Sequence, residues 1–318
     1  MTSAKPRLLA IGGAHIDRRG RVSGTYVPCA SNLGTMREEV GGGAFNALRN
    51  ATGMGLAGTM LSMRGGDAAG EAVAKAVAEW GIADLSAVFL DRATPSYTAL
   101  LDGEGELIAG LADMGLYDIA FPRQLRRRRF RDAVAEADAL LIDANLPAEA
   151  VGHVARMESV PIFAIAVSPA KVERMAGALA SISCLFMNGR EARALAEADE
   201  AAAIAEVVAS LRLRGLGSGV VTGGRGRIVC FDASGMFTLE PPTPVRVADV
   251  TGAGDALAGA TVAMLMRGAS LREAIRYGAA CAVLTVASPL VATRFAPALF
   301  RDTLAAVPVV TEFRDDAA

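Results

Sequence analysis

The sequence contains few of the residues that usually build metal and redox centres. Its 318 residues include two histidines and four cysteines, so a histidine metal cluster is excluded. The cysteines lie at positions 29, 184, 230 and 281, and no two of them form a Cys-x-x-Cys pair. This spacing excludes the usual zinc and dithiol motifs. Scattered thiols are typical of small apolar side chains buried in a protein of a reducing compartment.

Long apolar runs and a strong charge of one sign are also missing. The longest uncharged span, 277–293, is rich in Gly, Ser and Thr and contains Pro289, which favours a core helix over a membrane crossing. The apolar run at the N-terminus is broken by His15 and Asp17 and is too short for a secretory signal. The net charge of −2 gives no general attraction to nucleic acid or anionic membranes. We therefore expect a cytoplasmic protein without nucleic-acid or membrane partners, whose basic run at 123–131 is a solvated helix face.

Short apolar runs alternate with Ala-rich segments of helical spacing. The runs are LLAIGG, ALLIDA, IFAIAV, CLFMN and GVVTGG. Such alternation predicts an α/β fold with a mostly parallel sheet that helices cover on both faces. Residues 18–40 and 95–118 break the alternation, and the second segment has the pattern of a hairpin with DGEG as its turn. We predict that residues 1–318 form a single domain in which these two segments build a small β-sheet lid.

The segment RVADVTGAGDALAGA (246–260) contains a glycine turn just before a run of helix-forming residues. We interpret residues 245–250 as the end of a strand, 252–254 as a tight turn, and the rest as the start of a buried helix. The first amides of a helix have no internal partners and carry partial positive charge, so they bind anions. Asp255 stands in that first turn, and the segment alone leaves open whether it is a helix cap or a catalytic base.

Other polar residues follow predicted strands of the same sheet. Asp17 comes after the first run, Asn188 and Glu191 follow CLFMN, and Thr222 follows GVV. Three glycines precede a predicted helix that carries Asn46. Ligand sites of open α/β sheets lie at the carboxyl ends of the strands, so we expect these residues and the glycine turn to share one edge of the sheet.

Two segments, GGGAFNALRN (41–50) and DVTGAGDALAGA (249–260), resemble the signature regions of the PfkB or ribokinase-like carbohydrate and nucleoside kinases. The similarity covers nearly the whole chain. It implies a ribokinase-like three-layer α/β/α sandwich with a central, mostly parallel sheet and a small β-sheet lid that closes over a sugar. It also implies an ATP-dependent phosphotransferase that uses Mg²⁺, and it leaves a dependence on a monovalent cation open.

The resemblance implies roles for individual residues. Asp255 matches the base that deprotonates the substrate hydroxyl. The residues that match the anion hole for the transferring phosphoryl group are Gly252, Ala253 and Gly254. The residues that match the binding of sugar hydroxyls are Asp17, Gly42, Gly43 and Asn46. His15 is interpreted either as a further substrate contact or as a structural hydrogen-bonding group.

The nucleotide side is assigned by the same resemblance. Asn188 and Glu191 match an N-x-x-E motif that organises Mg²⁺ and phosphate, with Glu191 acting on the metal through water. The residues expected around the nucleotide are Asn188, Thr222, Gly224, Gly226 and Ser288.

The predicted substrate depends on the lid. Within the family, the run from Ser96 to Met114 and the run VSPAK (167–171) are most similar to those of pseudouridine kinases. This similarity predicts phosphorylation of the hydroxymethyl group of a ribonucleoside, pseudouridine first, to the 5′-phosphate. The lid side chains expected to face the edge of the base are Ser96, Thr98 and Asp113.

Several alternatives stay open at this point. A ribokinase- or fructokinase-like sugar kinase is the alternative within the family, and a non-catalytic sugar or nucleoside sensor is the alternative outside it. An NAD-dependent oxidoreductase is disfavoured because IGGAHIDRRG lacks the G-x-G-x-x-G spacing. Lys171 is interpreted as a surface lysine, and Tyr97 either packs on a base or fills the lid. The exposed edge of the predicted lid favours a homodimer through the lid.

Overall fold

The computed structural model describes residues 4–157, 160–224, 226–288, 292 and 294–314. The strands are, in chain order, β1 Arg7–Ile11, β2 His15–Val22, β3 Gly34–Gly41, β4 Ala57–Leu61, β5 Met63–Gly65, β6 Ala83–Asp84, β7 Ala87–Phe89, β8 Ser96–Leu101, β9 Leu107–Asp113, β10 Ala139–Asp143, β11 Ile162–Ile165, β12 Cys184–Asn188, β13 Gly219–Thr222, β14 Ile228–Asp232, β15 Gly235–Leu239 and β16 Thr311–Glu312. The helices are α1 Gly43–Gly53, α2 Ala68–Glu79, α3 Gly115–Gln124, α4 Arg128–Glu136, α5 Ala148–Ala155, α6 Pro169–Val172, α7 Gly189–Ala196, α8 Ile204–Leu213, α9 Ala253–Leu265, α10 Leu271–Val286 and α11 Pro297–Ala306, with a 3₁₀ segment over Glu173–Ser181.

Ten of the described strands form a central sheet in the order β16-β15-β14-β13-β12-β11-β10-β1-β4-β6. Neighbours are parallel from β6 to β13 and antiparallel from β13 to β16. Alternate residues of β10 enter different cores, because Leu140 and Ile142 lie in one apolar cluster while Ala139 and Leu141 lie in the other. Helices α1, α2, α9 and α10 cover one face, and α3, α4, α5, α7 and α8 cover the other. The predicted three-layer α/β/α sandwich is confirmed.

A separate four-stranded sheet, which we call the lid, has the order β3-β2-β8-β9. Strands β2 and β3 are antiparallel, β2 and β8 are parallel, and β8 and β9 form a hairpin. The hairpin turn is fixed by Asp102, whose carboxylate accepts the backbone N–H groups of Glu104, Gly105 and Glu106. The predicted lid is therefore present, with its turn at the predicted position.

The lid differs from the prediction at both of its boundaries. It begins at His15, so Asp17 follows β1 as predicted but lies inside lid strand β2 and not in a loop at the end of β1. It ends at Asp113, because residues 115–118 already belong to α3. Pairing with Glu39 of β3 and Tyr97 of β8 holds the Asp17 backbone in the lid.

The predicted strand at 245–250 is wrong, because the chain from Glu240 to Val250 forms no strand. Val245 and Val250 are exposed. The segment contains three prolines, at positions 241, 242 and 244, and proline has no N–H group to donate to a strand neighbour. The glycine turn is therefore approached through an irregular loop.

Helix α9 begins directly after that turn and packs against α1. Its N-cap, Gly252, has a φ of 76°, in the left-handed region that glycine adopts without steric cost. Gly259 of α9 faces Ala47 of α1 so closely that a Cβ at Gly259 would clash with the Ala47 carbonyl oxygen. The close approach of the two helices brings Asn46 of α1 beside Asp255 of α9.

None of the described helices combines the length and the apolar character that a bilayer crossing requires.

Gly259→Ala tests the close contact between α1 and α9. The added methyl group meets a backbone carbonyl, which cannot rotate away, so we expect the free energy of unfolding to fall by about 1–3 kcal/mol. Gly177→Ala is the matched control, because a Cβ at Gly177 meets nothing within 4 Å. Urea unfolding of both variants measures the difference, and equal stabilities would contradict the close contact.

Candidate active site

Asp255 lies in the first turn of α9, next to the amides that open the helix. Ala256 donates the first bond of this turn to the Gly252 carbonyl, at 2.8 Å. The amides that precede Ala256 lie at the positive end of the helix, where backbone donors bind anions, and among them the Ala253 N–H makes a long bond of 3.4 Å to the Val250 carbonyl. Asn46 Nδ2 donates to Asp255 Oδ2 at 2.8 Å. The site therefore combines an acceptor of protons with donors suited to phosphate.

The pKa of Asp255 is raised from 3.8 to about 7. Burial is the largest cause, and the nearby carboxylates of Asp143 and Asp17 raise the pKa further. The hydrogen bond from Asn46 and the charge of Arg49 act in the opposite direction. A carboxylate with a pKa near neutrality accepts a proton more readily than an ordinary aspartate, as general-base catalysis requires.

Asp17 is held beside this site by a chain of polar contacts. Its Oδ1 lies 3.3 Å from Nε2 of His15, whose ring is buried. His15 Nδ1 lies 3.2 Å from the hydroxyl group of Tyr117, which donates to the carbonyl of Ala14 at 3.1 Å. Both ring nitrogens of His15 are thus engaged within the protein, and the structure favours the orienting role over a direct substrate contact. Sequence reasoning missed Tyr117, which lies 102 residues away from His15.

Asp143, at the end of β10, is a second residue that sequence reasoning missed. Its side chain is fully buried. One oxygen accepts the amides of Gly13 and Ala44 at 3.0 and 2.9 Å and the Asn145 side-chain amide at 2.9 Å; the other accepts the Asn145 backbone N–H at 3.0 Å. The sequence could have pointed to Asp143, because it is the acid at the carboxyl end of the buried run ALLIDA and ligand sites lie at the carboxyl ends of strands.

Lys171 is not the surface lysine that the sequence suggested. Its Nζ donates to Asn145 Oδ1 at 2.7 Å. Burial lowers its pKa, while the charges of Asp143 and Asp17 act in the opposite direction. Lys171 therefore adds a half-buried cation to the group of acids at this edge of the sheet.

Gly42 and Gly43 are placed at the start of α1, as the sequence predicted for the glycine run. Gly42 is the N-cap with a φ of 107°, and a side chain there would clash with the Gly13 carbonyl. Gly43 stands against the carboxylate of Asp143. Both glycines thus have a packing reason to be present, and both border the group formed by Asp17, Asn46 and Asp143.

A cavity of about 690 Å³ opens on the other side of Asp255. The predicted nucleotide and metal residues that line it are Asn188, Glu191, Thr222 and Gly224, and it also contacts Ala253, Gly254 and Asp255. Its remaining walls are largely apolar and include the irregular loop and α10. Gly226 and Ser288 lie outside this lining: Gly226 donates to Gly223 in the turn after β13, and Ser288 follows the end of α10. The cavity has the size and lining of a small-molecule site.

Asn188 and Glu191 cap helix α7 in this cavity wall. Asn188 Oδ1 accepts the Glu191 N–H at 2.9 Å, and Glu191 Oε2 accepts the Asn188 N–H at 2.7 Å. Burial raises the pKa of Glu191. Within the described ranges, no group of three or more His, Cys, Asp and Glu side chains is placed to hold a metal ion. The oxygen donors present fit a Mg²⁺ ion that keeps most of its water and phosphate ligands.

The lid residues expected to contact a nucleobase do not share a face of the lid with Asp17. Asp17 pairs with Tyr97, whereas Ser96 pairs with Ile16 and with Asp113. Neighbouring residues in register point to the same side of a sheet, and successive residues alternate. Ser96, Thr98 and Asp113 therefore lie on the lid face opposite Asp17, and the expected contact of these three with a base near Asp17 is wrong. Tyr97 lies on the Asp17 face.

Lid strand β2 is also tied to the loop before α9. Arg19 Nη1 donates to Asp249 Oδ2 at 2.5 Å, and Asp249 Oδ1 accepts the N–H of Thr251 at 2.8 Å. Arg19 lies two residues after Asp17 and so shares its face of the strand. This ion pair shows that the Asp17 face of the lid is turned toward the glycine turn.

The chain belongs to the PfkB family, because the pfkB family carbohydrate kinase model matches residues 5–298. Pseudouridine kinase of Escherichia coli (strain K12) is 26% identical over 286 residues, which cover 89% of this chain and 91% of that protein. Guanosine-inosine kinase of Exiguobacterium acetylicum is 24% identical over 292 residues, with coverages of 89% and 95%.

Solved structures agree with this assignment. A carbohydrate kinase from Agrobacterium tumefaciens is 42% identical, has a TM-score of 0.83, and is matched over 96% of this chain and 99% of that chain. Arabidopsis thaliana ribokinase complexed with ribose and ATP shares the fold, with 20% identity, a TM-score of 0.80, and coverages of 95% and 99%. The predicted family is confirmed, and the chain is a sugar or nucleoside kinase, which is a phosphotransferase acting on hydroxyl groups.

Asp255→Asn should change how stability depends on pH. The folded carboxyl has a pKa of about 7 and the unfolded one an ordinary pKa near 3.8. Between these values the folded state holds a proton that the unfolded state has lost. The free energy of unfolding should therefore fall as pH rises through this window, with a limiting slope of about 1.4 kcal/mol per pH unit relative to Asp255→Asn.

Urea unfolding of the two proteins at about pH 4, 5, 6 and 7 measures this difference. The asparagine side chain cannot gain or lose the proton. Every other titrating group is the same in both proteins, so the difference between the two stability curves reports Asp255 alone. Parallel stability curves for the two proteins would show that the Asp255 pKa is not raised.

Proposed function

We propose that this protein transfers the γ-phosphoryl group of ATP to the hydroxymethyl group of a ribonucleoside, with pseudouridine as the first candidate. The observation that carries the proposal is the position of Asp255. It stands between a cavity suited to a nucleotide and a group of polar side chains suited to a ribose, at the amide-rich start of α9.

The transfer step follows from these positions. Asp255 accepts the proton of the substrate hydroxyl, whose oxygen then forms a bond to the γ-phosphorus while the bond to the leaving ADP oxygen breaks. The amides at the start of α9, from Gly252 to Gly254, donate to the equatorial phosphoryl oxygens as negative charge shifts. Mg²⁺, when bound, offsets the charge of the phosphates, and Glu191 would hold it through water.

The ribose part of the substrate would be bound by the acids and amides on the lid side of Asp255. Asp17 is oriented by His15 and turned toward the site by the lid. Asn46 is anchored in α1 and directed at Asp255. The carboxylates of Asp17 and Asp255 and the amide of Asn46 suit adjacent hydroxyl groups, which both donate and accept hydrogen bonds.

A nucleobase is favoured over a free sugar by two further side chains. Tyr97 lies on the lid face of Asp17 and offers a ring for stacking. Lys171 is a half-buried donor that would pair with a base carbonyl. Similarity to two nucleoside kinases, one acting on pseudouridine and one on guanosine and inosine, supports the same conclusion. The likeness to a carbohydrate kinase keeps a ribokinase-like sugar kinase as the second candidate.

Two earlier expectations stay predictions, a cytoplasmic location and a homodimer through the lid, and the dependence on a monovalent cation stays open. The lid carries exposed apolar side chains at Met36, Leu107 and Leu111, which supports a contact between two lids.

Asp255→Asn should abolish most of the turnover. An amide cannot accept the proton, and general-base catalysis contributes about 10²–10⁴-fold, so we expect kcat to fall by that factor while ATP still binds. In the native enzyme, kcat/KM should rise with pH to a plateau above about pH 7, because the carboxylate must be ionised. Steady-state kinetics with saturating ATP measure both effects. Retention of more than about a tenth of native kcat would remove Asp255 from the role of base.

A panel of acceptors tests the substrate. With ATP and Mg²⁺, similarity to a pseudouridine kinase predicts that kcat/KM for pseudouridine exceeds that for uridine, inosine, guanosine, ribose and fructose by at least about tenfold, the discrimination that one additional hydrogen bond to the ring would give. A preference for ribose or fructose would replace the nucleoside assignment by the sugar kinase. Absence of turnover with every acceptor, together with measurable binding of one of them, would favour the non-catalytic sensor.

A further inference from the structure

Arg49 of α1 is a buried cation that the proposed reaction does not use directly. Its side chain is 8% exposed. The guanidinium carbon lies 4.5 Å from the ring centre of Phe45 and 6.0 Å from that of Trp80. Its Nε is buried and has no hydrogen-bond partner among the described residues. A buried charge with an unpaired donor costs free energy, so a compensating role is expected.

The Arg49 guanidinium contacts the side-chain amide of Asn46, which is hydrogen-bonded to Asp255. Arg49 Nη2 donates to Asn46 Oδ1 and, at 3.3 Å, to the carbonyl of Val40. Asn46 Nδ2 in turn donates to Asp255 Oδ2 at 2.8 Å. A guanidinium has donors only, whereas an amide has one accepting and one donating end. Arg49 therefore permits one orientation of the Asn46 amide, in which its NH₂ group faces Asp255.

Charge supports the same arrangement. Arg49 is faced by Asp255, Glu39 and Asp17, and its pKa, lowered by burial to about 10, leaves it protonated at neutral pH. Asp255 is faced by Asn46 and Arg49 of α1, by Asp143 of β10 and by Asp17 of β2. Of these groups, Arg49 is the positive one, and it opposes the effects of burial and of the two acids on Asp255.

We propose that Arg49 is a positioning residue for phosphoryl transfer: its guanidinium fixes the amide of Asn46, which in turn orients the carboxylate of Asp255. This inference rests on the proposed role of Asp255 as the base. It assigns to Arg49 no contact with the substrate or the nucleotide.

Arg49→Met tests the inference with a side chain of similar length and no charge. Because Arg49 is the buried cation facing three acids, its loss should lower the melting temperature, so both proteins are assayed at a temperature at which each is fully folded. We expect kcat to fall by roughly 10–100-fold, the size of effect that a misplaced catalytic group produces, with a much smaller change in nucleoside KM. Arg49→Lys retains the charge but lacks the planar guanidinium with its fixed donors, so its kcat should lie between those of Arg49→Met and the native enzyme.

Arg272→Met is the matched control. Arg272 stacks on Phe237 with its guanidinium carbon 4.4 Å from the ring centre and pairs with Glu312, so this variant removes an equally stacked arginine on another helix. Its kcat should equal that of the native enzyme. Unchanged kcat in Arg49→Met, or a loss no greater than in Arg272→Met, would overturn the proposal.

Two measurements separate positioning from a general effect on the fold. Asn46→Ala and the Asn46→Ala/Arg49→Met double variant should have nearly the same kcat, because Arg49 acts through Asn46. The Asp255 carboxyl carbon, assigned by comparison with Asp255→Asn and titrated by ¹³C NMR, should show a higher pKa in Arg49→Met than in the native protein. The proposal would be overturned if the loss of kcat in the double variant equalled the product of the losses in the two single variants. It would also be overturned if the Asp255 pKa were the same in Arg49→Met and in the native protein.

The titration needs no substrate and no turnover. If Asp255→Asn keeps its activity, the proposed base is wrong. If instead Asp255→Asn is inactive and Arg49→Met retains native kcat and the native Asp255 pKa, only the role of Arg49 is wrong. The two failures are therefore distinguishable.

Discussion

The carboxylate of Asp143 accepts hydrogen bonds from two segments that are distant in the chain and from Asn145 in its own loop, and the position of the candidate site follows from them. Its partners are the amides of Gly13 after β1, of Ala44 in the first turn of α1, and the backbone and side chain of Asn145 after β10. A fully buried carboxylate is tolerated only when its oxygens are paired. The first turn of α1 is therefore fixed against the ends of two neighbouring strands.

The fixed start of α1 determines what Asp255 meets. Asn46 lies on α1 one turn after Gly42, and the packing of Gly259 against α1 sets its distance from Asp255. Asp255 is thereby buried close to Asp143 and Asp17, and burial together with these two carboxylates raises its pKa. Arg49 and the start of α9 are the positive elements that make this concentration of negative charge tolerable.

Much of the fold and part of the site could be predicted because their signals are local. A buried parallel strand is a short apolar run wherever it occurs, so LLAIGG, ALLIDA and CLFMN were identifiable. The glycine turn before Asp255 is set by neighbouring residues and was found. Asn188 and Glu191 were singled out as a motif, but the helix cap that they form was not predicted. The failures were of another kind: residues 245–250 have strand-like valines, and three nearby prolines outweighed them. Ser96, Thr98 and Asp113 belong to a real lid hairpin, but alternation along a strand does not reveal which face turns inward.

By itself, the sequence determined the family, the alternation of strands and helices, the lid hairpin with its turn at Asp102, and the position of Asp255 at a helix start. Only the tertiary structure decided which distant side chains meet. It joined Asp255 to Asn46 and Arg49, His15 to Tyr117, and Lys171 to Asn145 and Asp143. These contacts depend on helix packing and strand register across as many as 209 residues of chain. The physical reason is that a hydrogen bond is decided by ångström distances, which no spacing along the chain specifies.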